Sequence, residues 1–161
     1  MRFIFLLFFG ILLSAGDMNA QHLSKTKITY LESRLASTDT LYVINFWATW
    51  CAPCVAELPE FCRIDSAFKT RPVKVILVSL DFPEAWPEKL SAFLRKKQIG
   101  TEVLWLDESD PNYFIPKISN AWSGAIPATL ISCKKTETKK FLEKKLTYEM
   151  LEEQILAGIP K

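Results

Sequence analysis

The sequence predicts an α/β protein in which helices flank one mixed β-sheet. Apolar runs of strand length alternate along the chain with segments whose apolar residues recur at helical spacing, which is the pattern of an α/β sandwich. The chain closes with strand, turn, strand and helix, so the sheet is not purely parallel. With 161 residues, of which 49% are hydrophobic, it has the size and composition of about one globular domain.

The first 20 residues are predicted to be a secretory signal peptide. Arg2 precedes an apolar run over residues 3–13, and small residues follow at 14–16. The run has eleven residues, whereas a membrane span needs about 20. Cleavage near residue 16 or residue 20 leaves the folded domain, residues 21–161, in the periplasm or cell envelope. An uncleaved N-terminal anchor is the alternative, and it would tether the domain to the membrane.

The first half of the domain predicts a helix, a strand and a second helix. Residues 28–36 carry apolar side chains at helical spacing. Residues 41–47 are β-branched, aromatic and nearly all apolar, as expected of a strand that is buried on both faces. Residues 53–69 form a second amphipathic segment, and Pro59 inside it is expected to kink the helix.

The middle of the domain predicts two further buried strands with a helix between them. Residues 73–80 form the first apolar run, and residues 81–86 follow it as a loop. A helix is predicted over 87–97, with a proline in its first turn, where the missing N–H costs nothing. Residues 101–106 then form the third strand.

The C-terminal part predicts a short helix, two paired strands and a final helix. Residues 111–118 form the short helix, and residues 128–133 and 138–143 form the strands. The last helix covers 148–156 and is capped at its start by Thr147.

Two cysteines stand where strand 41–47 passes into helix 53–69. At a spacing of three, Cys51 and Cys54 lie on one helix face and can close a small disulfide ring. Cys51 falls at the helix N-terminus, which favours the reactive thiolate, and Cys54 one turn later can attack a mixed disulfide on Cys51. A plain disulfide or half of a zinc site is the alternative. However, a zinc site needs about four ligands, and His22 is the single histidine of the chain.

The segment Asn-Phe-Trp-Ala-Thr-Trp-Cys-Ala-Pro-Cys at 45–54 resembles the thioredoxin superfamily, specifically the exported TlpA/ResA-like thiol–disulfide reductases. The resemblance runs from about residue 41 to the C-terminus, and the segment 124–129 is similar to the cis-proline loop of the family. It implies a thioredoxin-like sandwich and a redox-active Cys51–Cys54 disulfide. It also implies a cis peptide bond before Pro127. The residues that it places around the substrate are Trp50, Pro53, Ile126 and Pro127.

A glutamate follows the second cysteine by three residues, as in the TlpA/ResA-like proteins. Ordinary thioredoxins carry a buried Asp where this chain has Asn45, and a Lys where it has Leu77. The resemblance therefore implies that Glu57 takes the proton of Cys54 or tunes both thiols. A solvated helix Glu is the alternative.

The other cysteines and a lysine-rich segment receive structural interpretations. A second disulfide between Cys62 and Cys133 is conceivable, but one lies on a helix and the other at a strand end, so we expect none. Residues 134–140 are interpreted as a solvated hairpin of mixed charge rather than a lipid-binding patch.

The sequence thus predicts an exported thiol–disulfide oxidoreductase that acts as a monomer. It would reduce disulfide-bearing exported proteins, with no cofactor and no metal, and a membrane thiol electron donor would recharge it. The net charge of +2 gives no indication of nucleic-acid binding.

A thiol peroxidase of the redoxin type is an alternative function. However, the peroxide-reducing cysteine of such enzymes lies in Thr-x-x-Cys, and Thr49 stands only two residues before Cys51. The other alternative is a non-catalytic thioredoxin-like adaptor or metal chaperone, and copper delivery favours Cys-x-x-x-Cys with a distant His.

Overall fold

Six strands form one mixed sheet in the computed structural model, which describes residues 23–37 and 39–160. The strands are β1 (Leu23–Thr26), β2 (Leu41–Trp47), β3 (Val73–Ser79), β4 (Glu102–Leu106), β5 (Ala128–Cys133) and β6 (Thr138–Leu142). Their order across the sheet is β1-β4-β3-β2-β5-β6. The four strands from β1 to β2 run parallel, whereas β2–β5 and β5–β6 are antiparallel pairs. The predicted mixed sheet is confirmed.

Helices cover both faces of this sheet. They are α1 (Ile28–Leu35), α2 (Ala52–Ala67), α3 (Glu88–Lys97), α4 (Pro111–Ile118) and α5 (Tyr148–Gly158). Apolar residues of α2, α3 and α5 form one core on the first face, and those of α1 and α4 form a second core on the other. In the part of the chain that the structure describes, none of these helices combines the length and apolar character needed to cross a membrane.

Strand β2 is apolar along its whole length because it is buried between the two cores. Side chains alternate between the faces of a strand, so odd-numbered residues of β2 face α2 and even-numbered residues face α1 and α4. All seven of its residues are buried. Asn45 lies on the α2 face and is the one polar residue of this strand. It therefore needs a hydrogen-bonding partner from the layer above it.

The ten elements predicted from the sequence are confirmed, and their ends differ from the predicted ones by at most two residues. Strand β1 was not predicted, because it lies at a sheet edge, only one of its four residues is buried, and it carries no apolar run. The predicted loop 81–86 contains a short 3₁₀ helix, Pro83–Ala85. The peptide bond before Pro87 is cis, which the sequence did not indicate. The predicted signal peptide lies outside the described residues.

Strand β6 is an edge of the sheet and is strongly basic. Residues 134–137 form an exposed turn, and Lys139 and Lys140 follow as exposed residues of the strand. Lys135 pairs loosely with Asp39 at 3.5 Å, and the Nζ of Lys140 donates to Gln154 at 2.8 Å. The predicted solvated hairpin is therefore confirmed.

Candidate active site

The cysteine pair lies where β2 gives way to α2. Cys51 is the N-cap residue of α2, and its Sγ accepts a hydrogen bond from the N–H of Cys54 at 3.3 Å. The two cysteines form a disulfide, with an S–S distance of 1.98 Å and a Cα–Cα distance of 5.3 Å. The sequence prediction that these two residues close a short ring is confirmed.

The two sulfur-bearing residues differ in how far they reach the surface. Cys51 is 6% exposed, whereas Cys54, in the first turn of α2, is completely buried. A sulfur atom of another molecule can therefore approach only from the Cys51 side. The N-terminus of the 16-residue helix also favours negative charge at this position, because its first N–H groups have no partners within the helix.

A buried aspartate fixes the turn that leads into Cys51. The carboxylate of Asp81 accepts the N–H of Thr49 at 3.1 Å and the Thr49 hydroxyl at 2.5 Å. It also accepts the hydroxyl of Ser79 at 2.8 Å, while the Asp81 carbonyl accepts the indole N–H of Trp105. The sequence analysis treated Asp81 only as the start of a loop. The sequence did contain an indication of this role, because an acidic residue directly after a buried parallel strand lies beside the carboxyl end of the neighbouring strand β2.

The proline loop, residues 124–129, lies against the cysteine pair. The Ile126–Pro127 peptide bond is cis, as the resemblance implied, and Gly124 has a φ of +96°, which favours glycine. The carbonyl oxygen of Ile126 lies 3.8 Å from the Sγ of Cys51. The indole N–H of Trp122 donates to the Ala125 carbonyl at 2.8 Å and so stiffens the loop. The substrate-binding roles of Ile126 and Pro127 stay predictions.

Glu57 is buried and held at both carboxylate oxygens. The side-chain amide of Asn45 donates to Oε1 at 2.8 Å, and the backbone N–H of Leu146 donates to Oε2 at 2.7 Å. The same amide of Asn45 also donates to the hydroxyl of Thr129 at 3.1 Å. The side chain has no exposed surface, so the alternative of a solvated helix Glu is wrong. Its neighbour one turn earlier on α2 is Cys54.

The environment of Glu57 raises its proton affinity. Burial raises the pKa of Glu57 from an ordinary value of 4.5 to about 6, because the charged form loses its hydration. The hydrogen bonds from Leu146 and Asn45 and the charge of Lys145 act in the opposite direction and limit the rise. A carboxyl with this pKa exchanges its proton near neutral pH.

Two exposed aromatic side chains flank the pair at the surface. Trp50 is 57% exposed and stacks on Phe82, with ring centroids 6.0 Å apart. Pro53 is exposed in the first turn of α2. Phe82 was not among the predicted site residues, since it follows β3 by several positions and reaches Trp50 only through the fold.

The other two cysteines lie apart from this site. Cys62 is a half-buried thiol on α2, and Cys133 is a buried thiol at the end of β5. They form no disulfide with each other, as expected. Within residues 23–37 and 39–160, no three His, Cys, Asp or Glu side chains group closely enough to hold a metal ion.

The sheet, its helical layers and the proline facing the cysteine pair are those of a thioredoxin-like protein. The chain belongs to the AhpC/TSA family, whose model matches residues 14–135.

Curated relatives carry the name thiol-disulfide oxidoreductase ResA. The protein from Oceanobacillus iheyensis is 29% identical over 119 residues, which cover 68% of this chain and 53% of the relative. The one from Geobacillus kaustophilus is 27% identical over 114 residues, which cover 70% of this chain and 59% of the relative. The chain thus spans little more than half the length of these relatives. The matches confirm the resemblance that the motif indicated.

Solved structures share the fold. StoA from Bacillus subtilis has a TM-score of 0.60 and 22% identity, over 74% of this chain and 85% of that chain. A thioredoxin-related protein from Neisseria meningitidis serogroup B has a TM-score of 0.65 and 20% identity, over 76% and 87%. The thioredoxin-like fold predicted from the sequence is confirmed.

We expect Glu57→Gln to remove a pH dependence of stability. Because the folded-state pKa of about 6 exceeds the ordinary value of 4.5, the protonated carboxyl stabilises the fold below about pH 4.5. This contribution, on the order of 2 kcal/mol, is lost as the pH rises through about 6. Glutamine does not titrate, so the difference in unfolding free energy between the two oxidised proteins should change over this window. Denaturant titrations between pH 4 and pH 7.5 measure it, and parallel curves would contradict the assignment.

We expect Asp81→Asn to loosen the turn before Cys51. The amide group of asparagine would face hydrogen-bond donors, leaving at least one buried donor without an acceptor, at a cost of about 1–3 kcal/mol. Denaturant unfolding and hydrogen exchange at the Thr49 amide measure the effect. Asp110→Asn is the matched control, because Asp110 caps α4 and asparagine caps helices equally well. Equal stability losses in both variants would argue against a special role for Asp81.

Proposed function

We propose that this protein is an exported thiol–disulfide oxidoreductase that reduces disulfides in envelope proteins. The observation that carries the proposal is the unequal access to the two sulfurs, since Cys51 is 6% exposed whereas Cys54, in the first turn of α2, is completely buried. A thiol–disulfide exchange in two steps needs this arrangement, in which one sulfur is more accessible than the other. The similarity to the ResA proteins supports the same activity.

The reduced protein would act through Cys51 first. Its thiolate attacks one sulfur of a client disulfide, so the client S–S bond breaks and a Cys51–client disulfide forms. The second client sulfur leaves as a thiolate and takes up a proton. Cys54 then loses its proton and attacks the Sγ of Cys51, which releases the first client sulfur and forms the Cys51–Cys54 disulfide. The client gains two electrons and two protons, and the protein is left oxidised.

Glu57 is proposed as the proton acceptor for Cys54. Cys54 has no contact with solvent, so its proton needs a group inside the protein. Glu57 lies one turn further along α2, and its pKa of about 6 leaves it mostly ionised at neutral pH. Asn45 and the N–H of Leu146 hold the carboxylate in place while it gains and loses a proton.

The loop before Pro127 is proposed to bind the client backbone. The Ile126 carbonyl already lies 3.8 Å from the Sγ of Cys51, so an extended client segment that pairs with it would place its own sulfur beside Cys51. Trp50 and Pro53 are exposed next to the two cysteines in the chain and would contact the same segment.

The cellular setting of the proposal rests on the N-terminal pattern. The apolar run over residues 3–13 and the small residues after it support export to the periplasm or cell envelope. Return of the oxidised pair to the dithiol form requires two electrons from a second dithiol. We assign this role to a membrane thiol electron donor, and we propose that the domain works as a monomer.

The thiol peroxidase alternative is less well supported. Both polar groups of Thr49 donate to Asp81 rather than turning toward Cys51. A non-catalytic adaptor would not need a cysteine pair closed into a disulfide at a helix N-terminus.

We expect Cys54→Ser to trap client proteins as mixed disulfides and Cys51→Ser to trap almost none. The first variant keeps the accessible attacking thiol but lacks the thiol that resolves the intermediate. Non-reducing gels of each variant, purified from the cell envelope after acid quenching, measure the trapped species. Equal trapping by both variants would contradict this assignment of roles.

We expect Glu57→Gln to slow the resolving step and to shift the alkylation profile of the reduced pair. Removing an ionised carboxyl beside Cys54 should lower the pH at which this thiol becomes reactive, because a nearby negative charge opposes thiolate formation. Loss of the proton acceptor should slow resolution by about a hundredfold, the lower end for acid–base catalysis. Rapid-quench alkylation and reduction of a model disulfide peptide measure both effects.

Glu60→Gln is the matched control for this experiment. Glu60 lies on the same helix but pairs with Arg63 at the surface, so both readouts should match the wild type. Unchanged profiles and rates in Glu57→Gln would show that Glu57 serves only the packing of α2.

A further inference from the structure

A groove with a volume of about 640 Å³ opens beside the proposed active site. It lies between the C-terminal ends of β3 and β4, the start of α4 and residues 122–124, which lead into the proline loop. Its aromatic and aliphatic walls include Phe82, Trp105, Phe114, Ile115 and Trp122. Neither Cys51 nor Cys54 lines this groove, and no step of the exchange reaction described above uses it.

Two walls of the groove lead directly to the cysteine pair. Phe82 stacks on Trp50, which precedes Cys51 in the chain. On the other side, Trp122 and Gly124 belong to the loop that continues to Ile126 beside the Sγ of Cys51. A polypeptide that leaves the sulfur site along either wall therefore enters the groove.

Phe82 has no packing role that accounts for its position. It is 65% exposed, more than any other large apolar side chain among the described residues. Together with Trp50, which is 57% exposed, it forms a continuous aromatic surface. Adjacent exposed aromatic side chains beside a groove are typical of a binding surface rather than of ordinary surface composition.

Several polar groups in the walls are already engaged within the protein. The carboxylate of Asp81 accepts from Thr49 and Ser79, and the indole N–H groups of Trp105 and Trp122 donate to backbone carbonyls. The exposed surface of the groove is therefore mostly apolar.

The acidic residues at the rim are also engaged. The carboxylate of Asp107 pairs with Lys25 and Lys27 at 3.0 Å each. Glu108 accepts the backbone N–H of Ile28 at 2.9 Å. The rim thus gives little preference for a charged ligand, and the chemistry of the walls favours an apolar one.

We propose that Phe82 and this groove bind an apolar side chain of the client polypeptide, preferably an aromatic one, close in sequence to the client cysteine. The inference rests on the proposed function and specifies its substrate class. Because an extended chain advances about 3.3 Å per residue, a side chain roughly two to five residues from the cysteine reaches the groove. A second copy of this chain is the less favoured occupant, since it would cover the surface beside Cys51 that a client needs.

Matched disulfide peptides test this inference. Each substrate is a dimer of a peptide with one cysteine, carrying either Phe or Ser three residues before and three residues after it. The readout is the ratio of kcat/KM values for reduction of the Phe and Ser peptides by the reduced protein. We expect the wild type to prefer the Phe peptide by about tenfold, the lower range for filling an apolar pocket.

Two variants alter the groove in different ways. Phe82→Ala removes the aromatic wall, and Asn112→Trp fills the groove from the exposed start of α4. Both should bring the ratio close to one. Leu156→Ala is the matched control, because Leu156 is a 53% exposed apolar residue on α5 and does not line the groove. Its ratio should equal that of the wild type.

The outcomes separate the inference from the proposed function. Equal reduction of both peptides by the wild type, or an unchanged preference in Phe82→Ala, would overturn the inference and leave the oxidoreductase activity intact. Reduction of neither peptide would refute the proposed function and the inference with it. Sedimentation that shows a wild-type dimer lost in Phe82→Ala would assign the surface to a second copy and also overturn the inference.

Discussion

The buried carboxylate of Glu57 is the interaction on which the arrangement of the site depends. A charged group taken out of water is costly unless hydrogen bonds replace its hydration, and here one donor comes from β2 and the other from the turn before α5. Through these two bonds the helix that carries the cysteine pair is fixed to the sheet and to the C-terminal helix at once. The same group has a pKa of about 6, so the residue that fixes the helix can also exchange a proton.

The site is preorganised from two sides of the sulfur pair. Asp81 holds the turn before Cys51. Trp122 and Glu143 hold the loop before Pro127. Glu143 does so by accepting both the N–H and the hydroxyl of Ser123. Cys51 lies between these two fixed segments. The geometry around the accessible sulfur therefore does not depend on a client for its formation, and binding needs to order only the client.

Most of the fold was predictable because its strongest signals are local. Strand β2 shows an unbroken apolar run since both of its faces are covered, and α4 begins at a proline after an aspartate cap. The cis bond at Pro127 was predictable from the resemblance of segment 124–129 to the cis-proline loop of the thioredoxin superfamily. Strand β1 was not, because this short edge strand is held by pairing with β4 and its side chains show no apolar run.

The contacts that define the site were less predictable because they join distant parts of the chain. The sequence indicated that Glu57 follows Cys54 by one turn, but it did not show that Asn45 and Leu146 would enclose the carboxylate. Asp81 and Phe82 likewise gain their roles only when the end of β3 is placed beside the end of β2. Such contacts depend on sheet order, which local periodicity does not encode.

The lysines of β6 affect how the sheet edge would interact with the partly folded proteins that are the proposed clients. A partly folded client exposes extended backbone, and an uncovered sheet edge is a template on which such backbone adds as a further strand. Lys139 and Lys140 stand on that edge, and Lys134 and Lys135 lie in the turn before it. Their charges oppose the close approach of a second sheet, so this edge disfavours the addition of a further strand.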